Sequence, residues 1–421
     1  MRKEWSSLTS TILVLFLLLI VPAANAAAGW SKTYGGPDRD IARSIVQTND
    51  GGYALAGFTE SYGAGESDFW LVKVDSSGNM QWNHAYGGPQ EEDAYCVIQT
   101  SDGGYAISGY TGSYGPGDWN YWLVKTDSLG NLQWNRTYSA LVHTSMWDGQ
   151  AKSVVQTEDG GYALAGFVPG QYGYDFGLVK VDASGDVQWN MTYAGLVYTS
   201  VFLIRTDDGG YVVAGTSGLI GEGFWLIKVD SSGNEVWDKA YVSDSLYSAV
   251  QTMDGGYLMV GELIIQGLEG TQHDALLIKV DSSGNELWNR TYGGSEDDAF
   301  LCVIQTSNGD YAFAGYTKPI GSEETDSWFA KVDSSGNMLW NRTYGGIWSD
   351  SSSSIIQTTD GGYALVGDLE SHGISDFWLI KTDETGIIPE FPSLLAVSFL
   401  LVATSLVIMV SKRKSPSLHS S

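Results

Sequence analysis

Basic residues are scarce in this chain of 421 residues. Its 22 lysines and arginines stand against 49 aspartates and glutamates, a net charge of −27. Such a surface repels phosphates, which excludes nucleic acid as a partner. Cysteine is nearly absent: Cys96 and Cys302 are the only two, so the chain is not a disulfide scaffold. Histidine is thin and scattered, at His84, His143, His273, His372 and His419, without metal-ligand spacing. There is no His-Glu-x-x-His, no nucleophile elbow and no phosphate loop. Sustained helical periodicity is missing between the two ends of the chain.

What is present is glycine, 53 residues, and aromatics, 13% of the chain, arranged in a repeat. Gln-Thr-x-Asp-Gly-Gly-Tyr begins at Gln47, Gln99, Gln156, Gln251 and Gln357, with variants at Arg205 and Gln305. The seven units are spaced about 52 residues apart, close to the length of a four-stranded propeller blade. In the first unit the strands are predicted at 44–48, 53–58 and 69–74, with a fourth carrying Trp82 and Tyr86. Asp50-Gly51-Gly52 and Asp75-Ser76-Ser77-Gly78-Asn79 supply the tight turns. A tryptophan recurs on strand four, at Trp30, Trp82, Trp134, Trp189, Trp237, Trp288 and Trp340, and is expected to pack between neighbouring blades. Strand three holds a lysine in every unit, from Lys73 to Lys381, read as a structural ion pair rather than a catalytic group. The two cysteines occupy one repeat position in units two and six. Those units are not neighbours, so the thiols are expected to stay unpaired as small buried hydrophobes.

The last unit stops at Lys381-Thr382-Asp383-Glu384-Thr385-Gly386, short of its tryptophan. The missing piece, Trp30-Ser31-Lys32-Thr33-Tyr34-Gly35-Gly36, lies at the start of the chain. A repeat divided between the two termini implies a ring closed by its own ends. The expected fold is therefore all-β: a seven-bladed β-propeller of four-stranded blades over residues 27–386, closed by the N-terminal strand.

The ends carry their own signals. A basic start, an apolar run from Leu8 to Val21 and Ala24-Asn25-Ala26 read as a secretory signal peptide over 1–26. Residues 393–410 are uncharged and apolar, about 27 Å as a helix. Lys412-Arg413-Lys414 follow. A transmembrane helix with a cytoplasmic basic tail, 411–421, would leave the propeller on the outer face of the cell membrane. Pro389-Glu390-Phe391 sits in the linker 387–392. The order Pro-Glu-Phe, apolar helix, basic cluster resembles the archaeal PEF-type C-terminal sorting signal, which implies an archaeosortase as a processing partner.

Two sets of acids repeat. Asp40, Glu92, Asp244, Asp298 and Asp350 stand seven residues before the marker position. Asp68, Asp175, Asp274, Asp326 and Asp376 stand five before the strand-three lysine. Loops four-to-one and two-to-three share one face of a propeller, so these acids are expected as a circle on that face. One reading is Ca²⁺ coordination or capture of a cationic partner. The other is that they cap loop amides and fix blade geometry. The same face holds the long loops 139–149 and 262–273, with His143, Trp147 and Gln266, where any ligand is expected. Asn135, Asn190, Asn289 and Asn341 begin Asn-x-Thr sequons on the outermost strand and are N-glycosylation candidates.

The repeat core, Lys-Val-Asp-x-x-Gly-Asn-x-x-Trp with Asp-Gly-Gly-Tyr, resembles secreted bacterial and archaeal propeller-repeat proteins. Asp75, Gly78 and Trp82 are also similar to the tryptophan-docking motif of pyrroloquinoline-quinone-type propellers. The turn here is one residue shorter and lacks the threonine, and those quinoproteins are usually eight-bladed. That resemblance implies shared architecture without the cofactor. The functional expectation is a non-enzymatic cell-surface binding or scaffold protein with a protein or glycan partner and no cofactor, Ca²⁺ aside. The alternative is an extracellular propeller enzyme, quinoprotein-like or polysaccharide-active, which would need a convergent set of acid, base and cation at the central opening.

Overall fold

A computed structural model describes residues 29–388, except 117, 139–148, 171–172, 196, 219–222 and 267–270. The leader, Pro389-Glu390-Phe391, the 393–410 segment, the basic tail, His143 and Trp147 lie outside the described residues. The rest is a seven-bladed propeller of 28 strands in seven four-stranded antiparallel sheets. Blade one is β2 (Asp40–Gln47), β3 (Tyr53–Thr59), β4 (Asp68–Val74) and β5 (Met80–Tyr86), from the axis outward. Blade seven is β26 (Asp350–Gln357), β27 (Tyr363–Ser371), β28 (Ile374–Thr382) and, as its outer edge, β1 (Trp30–Tyr34). β1 runs antiparallel to β28, with Trp30 opposite Lys381 and Tyr34 opposite Phe377. The divided repeat thus closes the ring.

The core lies between blades. Seven apolar clusters each draw on two neighbours. Tyr53, Leu55 and Trp70 of blade one meet Val366, Phe377 and Leu379 of blade seven, for example. The strand-four tryptophan reaches into the next blade. Trp30 meets Tyr53 edge-on at 6.1 Å, and its ring lies where a side chain on Gly78 would have to go. Tyr34, four residues on, donates its hydroxyl to the Gly78 carbonyl at 2.8 Å. The same tyrosine-to-glycine bond joins every adjacent pair of blades, through Tyr86, Tyr138, Tyr193, Tyr241, Tyr292 and Tyr344. Each aromatic so buried contributes about 2–3 kcal/mol, and the turn glycine is the residue that lets it dock.

Inside each blade the strand-three lysine is buried and pairs with the acid of the first turn. Lys73 Nζ lies 2.9 Å from Asp50, and Lys125, Lys180, Lys228, Lys279 and Lys381 repeat the pair. Burial alone would raise the Asp50 carboxyl, but hydrogen bonds from Lys73, Thr48 and the Gly52 amide outweigh it and hold the group at about 2. Blade six departs in sequence and keeps the charge. Its turn is Asn308-Gly309-Asp310: Asn308 takes over the threonine bond, and Asp310, two positions later, pairs with Lys331 at 3.2 Å. The lysine is therefore a structural ion-pair partner. Replacing Asp50 by alanine leaves a buried ammonium with only the Val74 carbonyl and the Gln81 side chain. We expect a loss of about 1–2 kcal/mol in denaturant melts, less than for a fully buried pair because Asp50 is half exposed.

Two expectations need correction. Cys96 and Cys302 are unpaired, as expected, but half-buried rather than buried, because they sit at the edge of the inter-blade cores. The segment 262–273 is an extension of a hairpin rather than a long loop. β19 (Tyr257–Gln266) and β20 (Thr271–Val280) stay in register as far as Gln266 opposite Thr271, because the β-branched Ile264 and Ile265 favour extended pairing. Blade seven is similarly prolonged, with β27 and β28 paired up to Ser371 opposite Ile374.

Candidate site at the mouth of the central channel

The innermost strands of the seven blades touch in a closed circle around the axis, β26 returning to β2. The two ends of this circle differ. At the end with the one-to-two turns, the marker glutamine of one blade accepts a turn amide from the blade before: Asn49 N to Gln99, Ser101 N to Gln156, Met253 N to Gln305, Ser307 N to Gln357 and Thr359 N to Gln47, at 2.6–2.9 Å. Where Arg205 replaces glutamine, it pairs with Glu158 of the preceding blade at 2.8 Å. That end is a repeated hydrogen-bonded collar.

The opposite end is not repeated. Every inner strand has a β-bulge or register shift against strand two. A bulge re-aims a side chain, and here the extra residue is Arg43, Tyr95, Lys152, Tyr247, Leu301 or Ser353 in six of the blades. The strand-two glycine opposite makes room: a Cβ on Gly57 would strike the Ile41 carbonyl. Over blades seven, one, two and three the bulged residues and their neighbours converge. Arg43 pairs with Asp93 at 3.0 Å and lies 5.4 Å from the Tyr95 ring. Lys152 Nζ sits 3.2 Å from the centre of that same ring and 5.4 Å from the centre of the Phe167 ring. Tyr95 donates to Gln150 at 3.3 Å. Tyr110 and Trp119 continue the aromatic wall, 5.1 Å apart. Asp368 of blade seven, bonded by Ser351 at 2.8 Å, completes the group.

The electrostatics of this hollow are unlike the rest of the disc. Burial brings Lys152 down to about 7, against the pull of Asp93 and with the push of Arg43. Burial, then the Asp93 charge, pushes the Tyr95 phenol well above its usual range. Burial also raises the Asp368 carboxyl, opposed by its bond from Ser351 and by the Arg43 charge. An amine that is readily neutral, a carboxyl, a guanidinium and aromatic faces meet in one place, and can engage a polar ligand by stacking and by charged hydrogen bonds. On blades five and six a smaller group faces the same end: His273 Nδ1 lies 3.3 Å from Glu262, and the His273 amide donates to Asp297 at 3.1 Å.

The sequence reading singled out none of Arg43, Asp93, Tyr95, Lys152 or Asp368. A signal existed. Four residues before the marker position the seven units read Arg43, Tyr95, Lys152, Val201, Tyr247, Leu301 and Ser353, with tyrosine alone used twice.

Several of the acids singled out in the two repeated sets cap loop amides, one of the two readings open for them. Asp40, Glu92, Asp298 and Asp350 are buried and cap backbone amides: Gly36 N on Asp40, Gly88 N on Glu92, Gly294 N on Asp298 and Gly346 N on Asp350, all at 2.7–2.8 Å. Asp68 takes the Ala64 and Gly65 amides, Asp175 that of Gly195 and Asp244 that of Ile264. Asp274 accepts from the Gln272 side chain. Among the described residues, no three or more His, Cys, Asp or Glu side chains gather as a metal-ligand group. Asn190, Asn289 and Asn341 are exposed on outer strands, whereas Asn135 is half-buried and accepts from the Trp122 indole at 3.4 Å.

No protein-family model matches the chain, and no curated protein is detectably similar to it. Among solved structures it is similar to a protein of unknown function from Dyadobacter fermentans, at 10% identity and a TM-score of 0.49 over 84% of this chain and 97% of the other. Sqt1 from Chaetomium thermophilum is similar at 10% identity and a TM-score of 0.46 over 85% of this chain and all of the other. At such distances neither carries a functional argument.

Proposed function

We propose that this is a non-enzymatic binding protein of the cell surface. Its leader exports it, the 393–410 segment holds it at the membrane, and it takes a glycan or surface-protein partner at the channel mouth. The observation that carries the reading is the contrast between the two ends of one ring. Five of seven junctions at the collar repeat a single device, while the mouth carries a different residue in nearly every blade. Selection for folding alone has no use for that variety at one end only. Tyr95, Tyr110 and Trp119 beside Arg43, Asp93 and Lys152 offer stacking faces next to charged hydrogen-bonding groups, which suits a sugar chain. The Pro389-Glu390-Phe391 motif supports sorting of the C-terminus by an archaeosortase. Exposure of Asn190, Asn289 and Asn341 on the rim is compatible with glycosylation that leaves the mouth clear.

The test is capture of glycans and envelope extracts by immobilised wild-type and variant protein. Tyr95→Ala and Lys152→Ala should each weaken binding at least about tenfold, in the range of aromatic and charged anchor residues. Ser76→Ala, at the other end, should leave it unchanged. Equal capture by all three variants would remove the mouth as the binding site. One observation favours a second reading, an extracellular enzyme of quinoprotein-like or polysaccharide-active type. Lys152, its amine brought down to about 7, has the acid–base character of a catalytic lysine. Turnover of a polysaccharide or an alcohol that disappears in Lys152→Ala would establish it.

A further inference from the structure

Around the propeller, four consecutive blade junctions share a feature that the others lack. The acid opening strand three of one blade faces the acid opening the inner strand of the next, across the first glycine after the strand-four tyrosine. The pairs are Asp376 with Asp40 at Gly35, Asp68 with Glu92 at Gly87, Asp274 with Asp298 at Gly293, and Asp326 with Asp350 at Gly345. In each, one oxygen from either acid lies within 3.0 Å of the point a Cβ on that glycine would occupy.

At the junction of blades one and two both acids are almost fully buried, Asp68 with 1% exposure and Glu92 with none. Glu92 is satisfied on both oxygens, Oε2 by Gly88 N at 2.8 Å and Oε1 by Thr111 Oγ1 and Ser113 N. Asp68 takes two amides on Oδ2, while its buried Oδ1, the atom turned toward Glu92, has no hydrogen-bond partner. Asp376 Oδ1, turned toward Asp40, is buried and unpartnered in the same way. None of the eight acids makes an ion pair with lysine, arginine or histidine among the described residues. Two facing carboxylates buried without a counter-charge are costly, and each remaining oxygen needs a positive partner.

We propose that each of these four junctions binds one hard divalent cation of the Ca²⁺ class between the facing carboxylate oxygens. Ca²⁺ binds oxygens at about 2.3–2.6 Å, so two of its ligands stand up to about 5 Å apart, and it completes its shell with backbone carbonyls and water. Two carboxylates per site are therefore enough to anchor it. Amide caps occupy Asp68 Oδ2 and Glu92 Oε2, so capping leaves the facing Oδ1 of Asp68, like that of Asp376, unexplained. The remaining junctions carry Asn120 with Gly149, Asp175 with Tyr198, and Gly223 with Asp244. All three lack a full acid pair, and they have also lost the glycine, reading Ser139, Ala194 and Val242. Acids and glycine thus come and go together. Burial first, and then the Glu92 charge, raises the Asp68 carboxyl, and burial and Asp40 raise Asp376, as expected of carboxylates waiting for a cation.

The test uses the full-length protein in detergent and Ca²⁺ as the only probe. Equilibrium dialysis should give four equivalents for wild type and three for Asp68→Asn. Asparagine is tolerated at this position, since Asn120 stands there in blade two, and circular dichroism checks that the variant is folded. Melting temperature should rise saturably with Ca²⁺ and return on chelation. Failure to bind Ca²⁺ at millimolar concentration would overturn the proposal, as would equal stoichiometry in wild type and folded Asp68→Asn. Stabilisation at lower pH that saturating Ca²⁺ leaves unchanged would overturn it too, by assigning the missing positive charge to a shared proton. None of these results depends on a ligand at the channel mouth.

Discussion

A chain lacking residues 29–35 will not form a stable monomer, whereas a chain that carries the same residues at its other end will. β1 is the outer strand of blade seven and supplies one tryptophan–tyrosine clamp on blade one. Truncating buried aromatics of this size costs about 3–5 kcal/mol each. Losing Trp30 and Tyr34 together therefore removes a large part of the roughly 5–15 kcal/mol that holds a typical domain together. It also exposes the full edge of β28, an open template for pairing with other chains. Size-exclusion chromatography of the truncated chain should show aggregate in place of monomer. The permuted chain begins at Pro37 and joins Ile388 directly to Gly29–Gly36. This restores the spacing of a normal blade: Lys381 then stands nine residues before Trp30, as Lys73 stands nine before Trp82. We expect a cooperatively melting monomer. A stable truncated monomer, or a permuted chain that fails to fold, would show that closure by β1 is not what holds the ring.

In calcium-free solution the melting temperature will peak in mild acid. Two populations of carboxyl groups pull in opposite directions. Burial raises Asp50 and Asp102, but bonds from the blade lysines and turn groups override it and hold both at about 2. In Asp208, bonds from Thr206 and Lys228 lead, also to about 2. These folded-state values lie below the ordinary value of about 3.9. Their stabilisation is therefore complete above that value and is lost as pH falls through 2. Asp68, Asp298, Asp326, Asp350 and Asp376 are raised, chiefly by burial and, except at Asp326, by a facing acid as well. Their contribution is complete below about 3.9 and is lost as pH rises through their raised folded values. Melting temperature should therefore fall on both sides, as pH rises through the raised values of the buried acids and again, more steeply, below about pH 3. Added Ca²⁺ should abolish the loss on the neutral side. A curve that rises steadily to pH 8 without calcium would contradict the opposed populations.

Much of the fold was legible because repetition advertises structural need. The blade number, the turn glycines, the tryptophan between blades and the closure by the first strand each follow from residues that recur. The buried lysine was legible as an ion-pair partner, though its partner Asp50 was seen only as a turn residue. The acids were placed at the correct loops with two readings open, cation binding or capping, because the spacing of Asp40 or Glu92 does not reveal the backbone amides that fold over them. The hairpin through Ile264 was read as a loop because it breaks the repeat length. The mouth was missed for the converse reason. Arg43, Tyr95 and Lys152 share no residue type, so a search for recurrence passes over them, and the bulge that turns them toward one another depends on the close approach of strand two at Gly57 and its counterparts.

The closing hairpin also fixes how the disc would stand on a cell. The described chain leaves the ring at Ile388, just after the three-to-four turn of blade seven, on the side of the glutamine collar. Residues 389–392 are all that separates it from the apolar segment, a reach of at most about 14 Å. On the membrane-anchored reading, so short a leash presses the collar side toward the lipid and tips the opposite side away from it. The variable residues then look outward, toward whatever approaches the cell, and tail cleavage would release the disc with its recognition surface intact.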